Sequence, residues 1–312
     1  MTAASQDRRM VFLGVLLACG LAWGSTQTLG KLAVSTGHGH FGLLFWQAVI
    51  GALLLGGFVA LRGGWPALTP ARLGFALFIA LVGTIIPGTS FFLAITHLPA
   101  GIMSILISTV PMLAFPMALA MGIDRFSAVR LTGLLCGLAG VALIAGPGAT
   151  VLPQDDGLFW LAIALIGPVL YAVEVSAVAR FGTCGMDGMQ VMALASLLGA
   201  VILAPLAVAS GQFIDPRLPL GVAEWALIAS SVVHALAYAA YLWLAANAGA
   251  VFAAQSSYIV TGTGVFWAMA VLGERLSPFA WAALALILAG LALVKPRERR
   301  HAPTTKAVPE SS

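Results

Sequence analysis

Charged residues are scarce in this chain. Lysine, arginine, aspartate and glutamate together make up 8% of its 312 residues, whereas hydrophobic residues make up 61%, and the mean hydropathy is +1.02. A soluble protein of this length carries about a quarter charged residues. So few charges cannot cover a water-facing surface, which excludes a soluble globular domain and predicts an integral membrane protein.

Cysteine is also scarce. Cys19, Cys136 and Cys184 are an odd number, and their spacing is not typical of a metal site or of a disulfide framework. We therefore expect these three residues to serve as small packing residues, and we expect no metal and no cofactor.

Apolar runs recur along the chain, and they are continuous rather than alternating. Continuous runs of about 20 residues are typical of membrane-spanning helices, whereas a β-barrel would show alternation. The sequence thus predicts an all-α integral membrane fold. A search for spanning windows gives ten segments, at residues 10–31, 41–61, 73–96, 101–122, 128–146, 158–180, 188–210, 223–246, 249–272 and 279–294.

Basic residues are distributed unevenly between the two sides that these segments define. If the N-terminus is cytoplasmic, twelve of the fifteen basic residues lie inside, and the outside receives only Lys31, Arg217 and Arg275. Positive residues favour cytoplasmic loops. We therefore expect a multi-pass protein of the cell (inner or plasma) membrane, with a cytoplasmic N-terminus (1–9) and a basic cytoplasmic tail (295–312).

The two halves of the chain resemble each other. Asp124–Ile144 aligns with Glu274–Val294 at a constant offset of 150 residues, and LPAG before the fourth segment aligns with ANAG before the ninth at an offset of 148. Five segments per copy is an odd number, so the second copy must cross the bilayer in the opposite direction. Inverted repeats are typical of secondary transporters, whose substrate site lies near the midplane. The predicted repeats are 10–146 and 158–294.

Two motifs carry a family resemblance. AWGSTQTLGKLA (Ala22–Ala33) resembles the first-helix motif of EamA-type members of the drug/metabolite transporter superfamily, and LGERLSPFAWAALALILAGLALV (Leu272–Val294) resembles their last-hairpin motif. The first copy departs from this pattern, with MGIDRF at the corresponding turn. The resemblance covers Met10 to Val294. It implies two inverted five-helix repeats that carry small metabolites, often amino acids or related compounds moved outward, usually with proton exchange.

Polar side chains are concentrated in some segments and nearly missing from others. The tenth segment carries no charged or hydroxylated residue, and the fifth carries Gly133 and Gly137 at a spacing suited to close helix packing. A polar side chain without a partner is costly in hydrocarbon, so such residues face the bundle interior. We therefore predict that segments one, three, four, six, eight and nine line a central cavity, while five and ten form a scaffold.

The first segment carries a polar stripe. Trp23, Gln27 and Gly30 share one helix face, with Lys31 at its edge, so this face should look into the cavity. Lys31 is expected near the outer interface, about 30 Å from the cytoplasmic Arg9. Two interpretations of Lys31 stay open: it attracts anionic groups of a substrate, or it extends to the lipid headgroups.

Glu174 is the only acidic residue well inside an apolar run, and it shares a helix face with Tyr171. Partial desolvation disfavours its charged form, so it is a candidate to exchange a proton, or to bind an ammonium group of a substrate. The alternative is a carboxylate that reaches cytoplasmic water or pairs with Arg180, six residues further on.

The eighth segment places four polar side chains on one continuous face: Ser230, His234, Tyr238 and Tyr241. Histidine is the side chain most easily protonated near neutral pH, although His234 could simply bond a neighbouring hydroxyl group. Gln255 and Tyr258 share a face of the ninth segment. The predicted substrate-binding or coupling residues are Trp23, Gln27, Lys31, Thr89, Tyr171, Glu174, His234, Tyr238, Tyr241, Gln255 and Tyr258.

Catalysis is not indicated. An intramembrane enzyme needs a convergent nucleophile and base or a metal centre, and the sequence contains no His-Glu-x-x-His, Gly-x-Ser-x-Gly or Walker motif. We predict a non-enzymatic secondary transporter that exports a small amino-acid-like or amphipathic solute by alternating access, with proton coupling. Its expected partners are this solute and membrane lipid, and no nucleic acid. An intramembrane enzyme, a channel and an importer remain alternatives, as do a monomer and a homodimer.

Overall fold

The computed structural model describes residues 3–146, 156–217, 219–248, 252–253 and 255–294. These ranges contain ten long apolar helices and no β-strand. In chain order they are α1 (Ala3–Ala33), α2 (His40–Leu61), α3 (Pro70–Ile95), α4 (Ala100–Ala120), α5 (Ala128–Ala145), α6 (Gly157–Phe181), α7 (Gly188–Ala209), α8 (Val222–Ala248), α9 (Ser256–Leu272) and α10 (Pro278–Leu293).

These ten helices confirm the predicted all-α membrane fold. Helices α1 to α8 are long and apolar enough to cross a membrane, and α9 and α10 are shorter apolar helices of 17 and 16 residues. At 1.5 Å per residue, the two shorter helices measure about 25 Å, close to a hydrocarbon thickness of about 30 Å. The ninth segment, predicted to begin at residue 249, is a helix from Ser256; residues 249–251 and 254 lie outside the described residues.

The contacts between α5 and α10 show the two-fold relation of the copies. A methyl group added to Gly140 would lie 3.0 Å from the carbonyl oxygen of Ala283, and one added to Gly290 would lie 2.5 Å from that of Gly133. At the offset of 150 residues, Gly140 corresponds to Gly290 and Gly133 to Ala283. Each copy therefore makes the contact that the other makes, as a two-fold relation between the helices requires.

The same reciprocity holds between α2 and α7. A methyl group added to Gly51 would lie 3.1 Å from Oγ of Ser196, and one added to Gly199 would lie 3.7 Å from Cβ of Ala48. At the offset of 148 residues, Gly51 corresponds to Gly199 and Ala48 to Ser196. Two helix pairs thus place the same pseudo-two-fold axis between the copies.

Successive helices run in opposite directions, so the loops collect at two ends of the bundle. We call one the arginine-rich end, with loops 62–69, 121–127 and 182–187, and the other the opposite end, with loops 34–39, 96–99, 210–221 and 273–277. At the arginine-rich end, Nε of Arg72 donates to the carbonyl oxygen of Cys184 at 3.2 Å. At the opposite end, the indole N–H of Trp46 donates to the carbonyl oxygen of Ile214 at 2.9 Å. Both contacts join the first copy to the second.

Two helices are irregular near prolines. Helix α3 is π-helical over Ile79–Ile85, just before Pro87, and α4 is interrupted at residues 108–109, just before Pro111. Proline lacks an N–H group and therefore removes a helical hydrogen bond. Single π-helical turns within α-helices are frequent at functional sites, so α3 is of interest for the site.

Helices α5 and α10 pack mainly against each other, while α1 packs against α8 and α9, and α6 packs against α3 and α4. Large apolar side chains of the first pair, such as Leu135 and Trp281, are exposed on the bundle surface. This arrangement gathers α1, α3, α6 and α8, which carry most of the predicted polar side chains, around the middle of the bundle.

Candidate functional site

An aromatic cluster lies where α1 packs against α8. The indole N–H of Trp23 donates a hydrogen bond to Nδ1 of His234 at 3.1 Å. The Trp23 ring also meets the rings of Tyr238 and Tyr241 edge-on, with centroid distances of 6.5 and 5.9 Å. Because Nδ1 accepts this bond, the neutral His234 ring carries its proton on Nε2. The structure thus brings four sequence-predicted residues together, fixed by one hydrogen bond and by edge-to-face ring contacts.

Glu174 of α6 faces the π-helical turn of α3. A methyl group added to Gly83 would lie 2.7 to 2.8 Å from the carboxyl atoms of Glu174, so this carboxyl group rests directly on the glycine backbone. Tyr171 and Tyr238 are near enough for the charge of Glu174 to act on their phenol groups. Since Tyr238 belongs to the aromatic cluster, Glu174 connects that cluster to α3 and α6.

The pairing of Glu174 with Arg180, which the sequence left open, is absent from the described residues. Arg180 is exposed, and its guanidinium group lies 5.7 Å from the centroid of the Phe181 ring. The half-buried carboxyl group of Glu174 is therefore left to interact with a proton or with a polar group of a bound solute.

Gln27 lies one helical turn from Trp23 on the same face of α1. Its side-chain oxygen is buried and accepts no hydrogen bond from the described residues. The hydroxyl groups of Thr28, which is 2% exposed, and of Tyr258 are buried and unpaired in the same way. A buried polar group without a partner costs about 1–3 kcal/mol, and each such exception requires an explanation. These three groups are candidate contacts for a solute, and the sequence analysis did not single out Thr28.

Lys31 has a role that the sequence did not suggest. Its ammonium group donates to backbone carbonyl oxygens at the end of α3, those of Ile95, Thr96 (3.4 Å) and Leu98 (3.0 Å). The last carbonyl groups of a helix lack intrahelical partners and carry partial negative charge. Lys31 therefore caps the end of α3, and its predicted contact with a solute stays a prediction.

An acid from the second copy caps the next helix. Glu274, between α9 and α10, accepts hydrogen bonds from the N–H groups of Ala100 at 2.7 Å and Gly101 at 2.9 Å. The tip of the α3–α4 hairpin is therefore held by a cation at the end of one helix and an anion at the start of the next, as the helix dipoles favour. We did not assign this role from the sequence, although the LPAG start of α4 and the acid of the last hairpin were both visible there.

Three predicted residues lie apart from the aromatic cluster. Thr89 is half-buried on α3, and Tyr258 packs against the main hydrophobic core. Gln255 is exposed and lies in the turn before α9. Gln255 is the N-cap residue of α9, whose regular helix begins at Ser256, so the face predicted for Gln255 and Tyr258 lies at the very start of this helix.

Comparison with known proteins places these features in a family. The EamA-like transporter family matches twice, over residues 10–146 and 158–295. A protein of Escherichia coli K12 described as "Uncharacterized inner membrane transporter YedA" is 29% identical over 293 residues, which cover 90% of this chain and 89% of that protein. A "Probable terminal-alkyne amino-acid exporter" of Streptantibioticus cattleyicolor is 25% identical over 211 residues, 67% of this chain and 69% of that protein.

A solved crystal structure is similar in fold. It superposes with a TM-score of 0.63 at 17% identity, and the match covers 91% of this chain and 96% of that one. Both family matches fall on apolar helices that cross the membrane, and together they span most of the sequence. The chain is a multi-pass membrane transporter and belongs to the EamA-like transporter family.

Proposed function

We propose that the protein is a secondary transporter that exports a small amino-acid-like or other amphipathic solute by alternating access, with Glu174 as its proton-coupling group. The observation that carries the proposal is the position of Glu174. Its carboxyl group rests on α3 near the phenol groups of Tyr171 and Tyr238, without an ion pair in the described residues. Ionisable residues inside a membrane that face a bundle interior are typical of proton relays in transporters.

The surroundings of Glu174 support a small amphipathic solute. The rings of Trp23, Tyr238 and Tyr241 offer apolar surface with polar tips, and the unpaired oxygen of Gln27 can accept a hydrogen bond. The description of the Streptantibioticus cattleyicolor relative as a probable amino-acid exporter supports an amino-acid-like solute and an outward direction. The repeats 10–146 and 158–294 then rock around a site between them.

We place the protein in the inner membrane, with both termini and the arginine-rich end in the cytoplasm. The uneven distribution of basic residues supports this orientation, and the description of YedA supports the membrane. Cys184 is exposed at the arginine-rich end. A membrane-impermeant thiol reagent should therefore label it in inside-out vesicles, and labelling only in right-side-out vesicles would reverse the orientation.

Reconstitution into liposomes with an imposed pH gradient tests the function. Wild-type and Glu174→Gln proteins would each be offered a panel of radiolabelled amino acids, including a terminal-alkyne amino acid such as propargylglycine. We expect the wild-type protein to accumulate at least one of them against its gradient. Glu174→Gln should lose this accumulation and keep downhill exchange, because an amide cannot take up and release the proton.

Asp215→Asn is the matched control, since it removes an exposed carboxylate at the opposite end. It should transport as the wild-type protein does. Unchanged accumulation by Glu174→Gln would contradict the coupling role and make His234 the next candidate. Loss of solute binding together with accumulation would instead assign Glu174 to a substrate ammonium group.

A further inference from the structure

Because Gly83 has no side chain, the carboxyl group of Glu174 can lie directly against the backbone of α3. Gly83 belongs to the π-helical turn Ile79–Ile85, and a methyl group on it would come within 2.7 to 2.8 Å of three carboxyl atoms of Glu174. Cβ atoms in real structures essentially never approach a non-bonded heavy atom closer than 3.0 Å. Any side chain at position 83 must therefore displace the carboxyl group.

Few other groups hold this carboxyl group. Among the described residues it makes no hydrogen bond and no ion pair. The phenol groups of Tyr171, on its own helix, and of Tyr238, on α8, are near enough for the charge of Glu174 to act on them. The contact with Gly83 is thus a direct steric constraint on the position of Glu174.

Charged groups on the neighbouring helices are engaged elsewhere. Helices α3, α4 and α5 pack against α6. Arg72 of α3 donates to the carbonyl oxygen of Cys184, α4 carries no charged residue, and Arg130 of α5 binds Asp124 at the arginine-rich end. A change in the position of Glu174 therefore acts on its proton exchange mainly through its contact with α3 and the two phenols.

Gly83 belongs to the first copy and Glu174 to the second, and the pair of positions related to them by the two-fold axis lacks both parts of this contact. At the offset of 148 residues, Glu174 corresponds to Thr26 and Gly83 to Ser231. Each of these two hydroxyl groups donates to a carbonyl oxygen of its own helix at 2.7 Å. The carboxyl group and the glycine that makes room for it thus occur together, on one side of the pseudo-two-fold axis.

We infer that Gly83 is a positioning residue for Glu174: it keeps the carboxyl group against the π-helical turn of α3, and this position sets how Glu174 exchanges its proton. The inference rests on the proposed coupling role of Glu174 and extends that role to α3. A charge that appears or disappears at Glu174 then acts directly on the one described helix with a π-helical turn.

A double-mutant cycle with Gly83→Ala and Glu174→Asp tests the inference on the full chain in detergent, without any solute. Dicyclohexylcarbodiimide reacts with protonated carboxyl groups in apolar surroundings, and mass spectrometry measures its rate of modification of residue 174 across a pH series. Gly83→Ala should change this rate at Glu174 at least about threefold and alter its pH profile, an effect typical of residues in contact. With Glu174→Asp present, the shorter side chain leaves room for the methyl group, and Gly83→Ala should then have little effect.

Gly74→Ala is the matched control, because Gly74 lies on the same helix with no other group within 4 Å of its added methyl. An equal effect of Gly83→Ala with Glu or Asp at position 174 would overturn the inference, as would no effect in protein that elutes like the wild type. If Gly83→Ala alone fails to fold, a folded Gly83→Ala/Glu174→Asp protein supports the steric contact and an unfolded one overturns it. Failure of the proposed transport is read separately, from Glu174→Gln in liposomes.

Discussion

The packing contacts of the two copies match residue by residue, whereas their polar side chains differ. Gly140 packs on α10 as Gly290 packs on α5. By contrast, Thr26 stands in the first copy where the second has Glu174, and Ile86 stands where the second has His234. A close approach of backbones is imposed on both copies by the two-fold axis. An ionisable side chain is costly in the membrane, and the two-fold relation does not require it in both copies.

The two hairpin turns show the same contrast. At the offset of 150 residues, Glu274 corresponds to Asp124, and Ala280 corresponds to Arg130. Asp124 binds Arg130 within its own copy. Glu274 has no arginine at the matching position, and it reaches instead across the copies to the start of α4. The two aligned acidic residues therefore make different contacts. Asp124 stabilises its own turn, whereas Glu274 joins the two copies at the opposite end.

The largest effect is expected at the shared packing contacts. Gly140→Leu and Gly290→Leu should each lower the free energy of unfolding by about 3 kcal/mol, because the facing backbone atoms cannot move away. Thermal unfolding in detergent measures both. Gly57→Leu is the control, since Gly57 is exposed and a Cβ added to it would meet no other group within 4 Å. Tolerance of one substitution but not the other would show that the copies are not equally constrained.

A smaller effect should separate the two turns. Glu274→Ala removes a charged acceptor from two N–H groups and should cost about 2 kcal/mol, because hydrogen bonds to charged groups contribute about 1.5–3 kcal/mol and water can replace part of this pair. Asp124→Ala should cost about 1 kcal/mol, because the long side chain of Arg130 can turn toward headgroups or water. The midpoint of thermal unfolding is again the readout. Equal losses for the two variants would contradict the different tasks of the two acids.

The smallest effect is expected for Lys31→Met, at about 1 kcal/mol, because a cation at a helix end contributes roughly that much. The charge of Glu274 acts on Lys31, so the two substitutions should not be independent. The Lys31→Met/Glu274→Ala protein should lose less stability than the sum of the single losses. Strict additivity in the same unfolding assay would show that the two residues do not act as one unit.

The helices and the repeat could be predicted because the bilayer leaves few choices. Backbone groups in hydrocarbon must be paired within a helix, so apolar length alone located α2, expected at 41–61 and found at His40–Leu61. The offsets of 148 and 150 residues then predicted the inverted repeat, with which the reciprocal contacts of Gly140 and Gly290 agree.

The site was predictable only in part. Helix faces placed Trp23 and His234 among the interior residues, but their hydrogen bond depends on how α1 and α8 cross, which a face pattern does not determine. The contact of Glu174 with Gly83 depends on the π-helical turn of α3, which the nearby Pro87 does not by itself predict. The capping contacts of Lys31 could not be predicted because its partners are backbone carbonyl groups, which are present at every position of every sequence.

The α3–α4 hairpin, held by Lys31 and Glu274, has a consequence for hydration. The carbonyl and N–H groups at its tip, and the charged groups of Lys31 and Glu274 that bind them, would form hydrogen bonds with water about as well as with each other. The hairpin tip is therefore held more firmly where it is dry than where water reaches it. Once water enters, it replaces these bonds together at little enthalpic cost, so the opposite end should open as one cooperative wetting event and close again when the water is expelled.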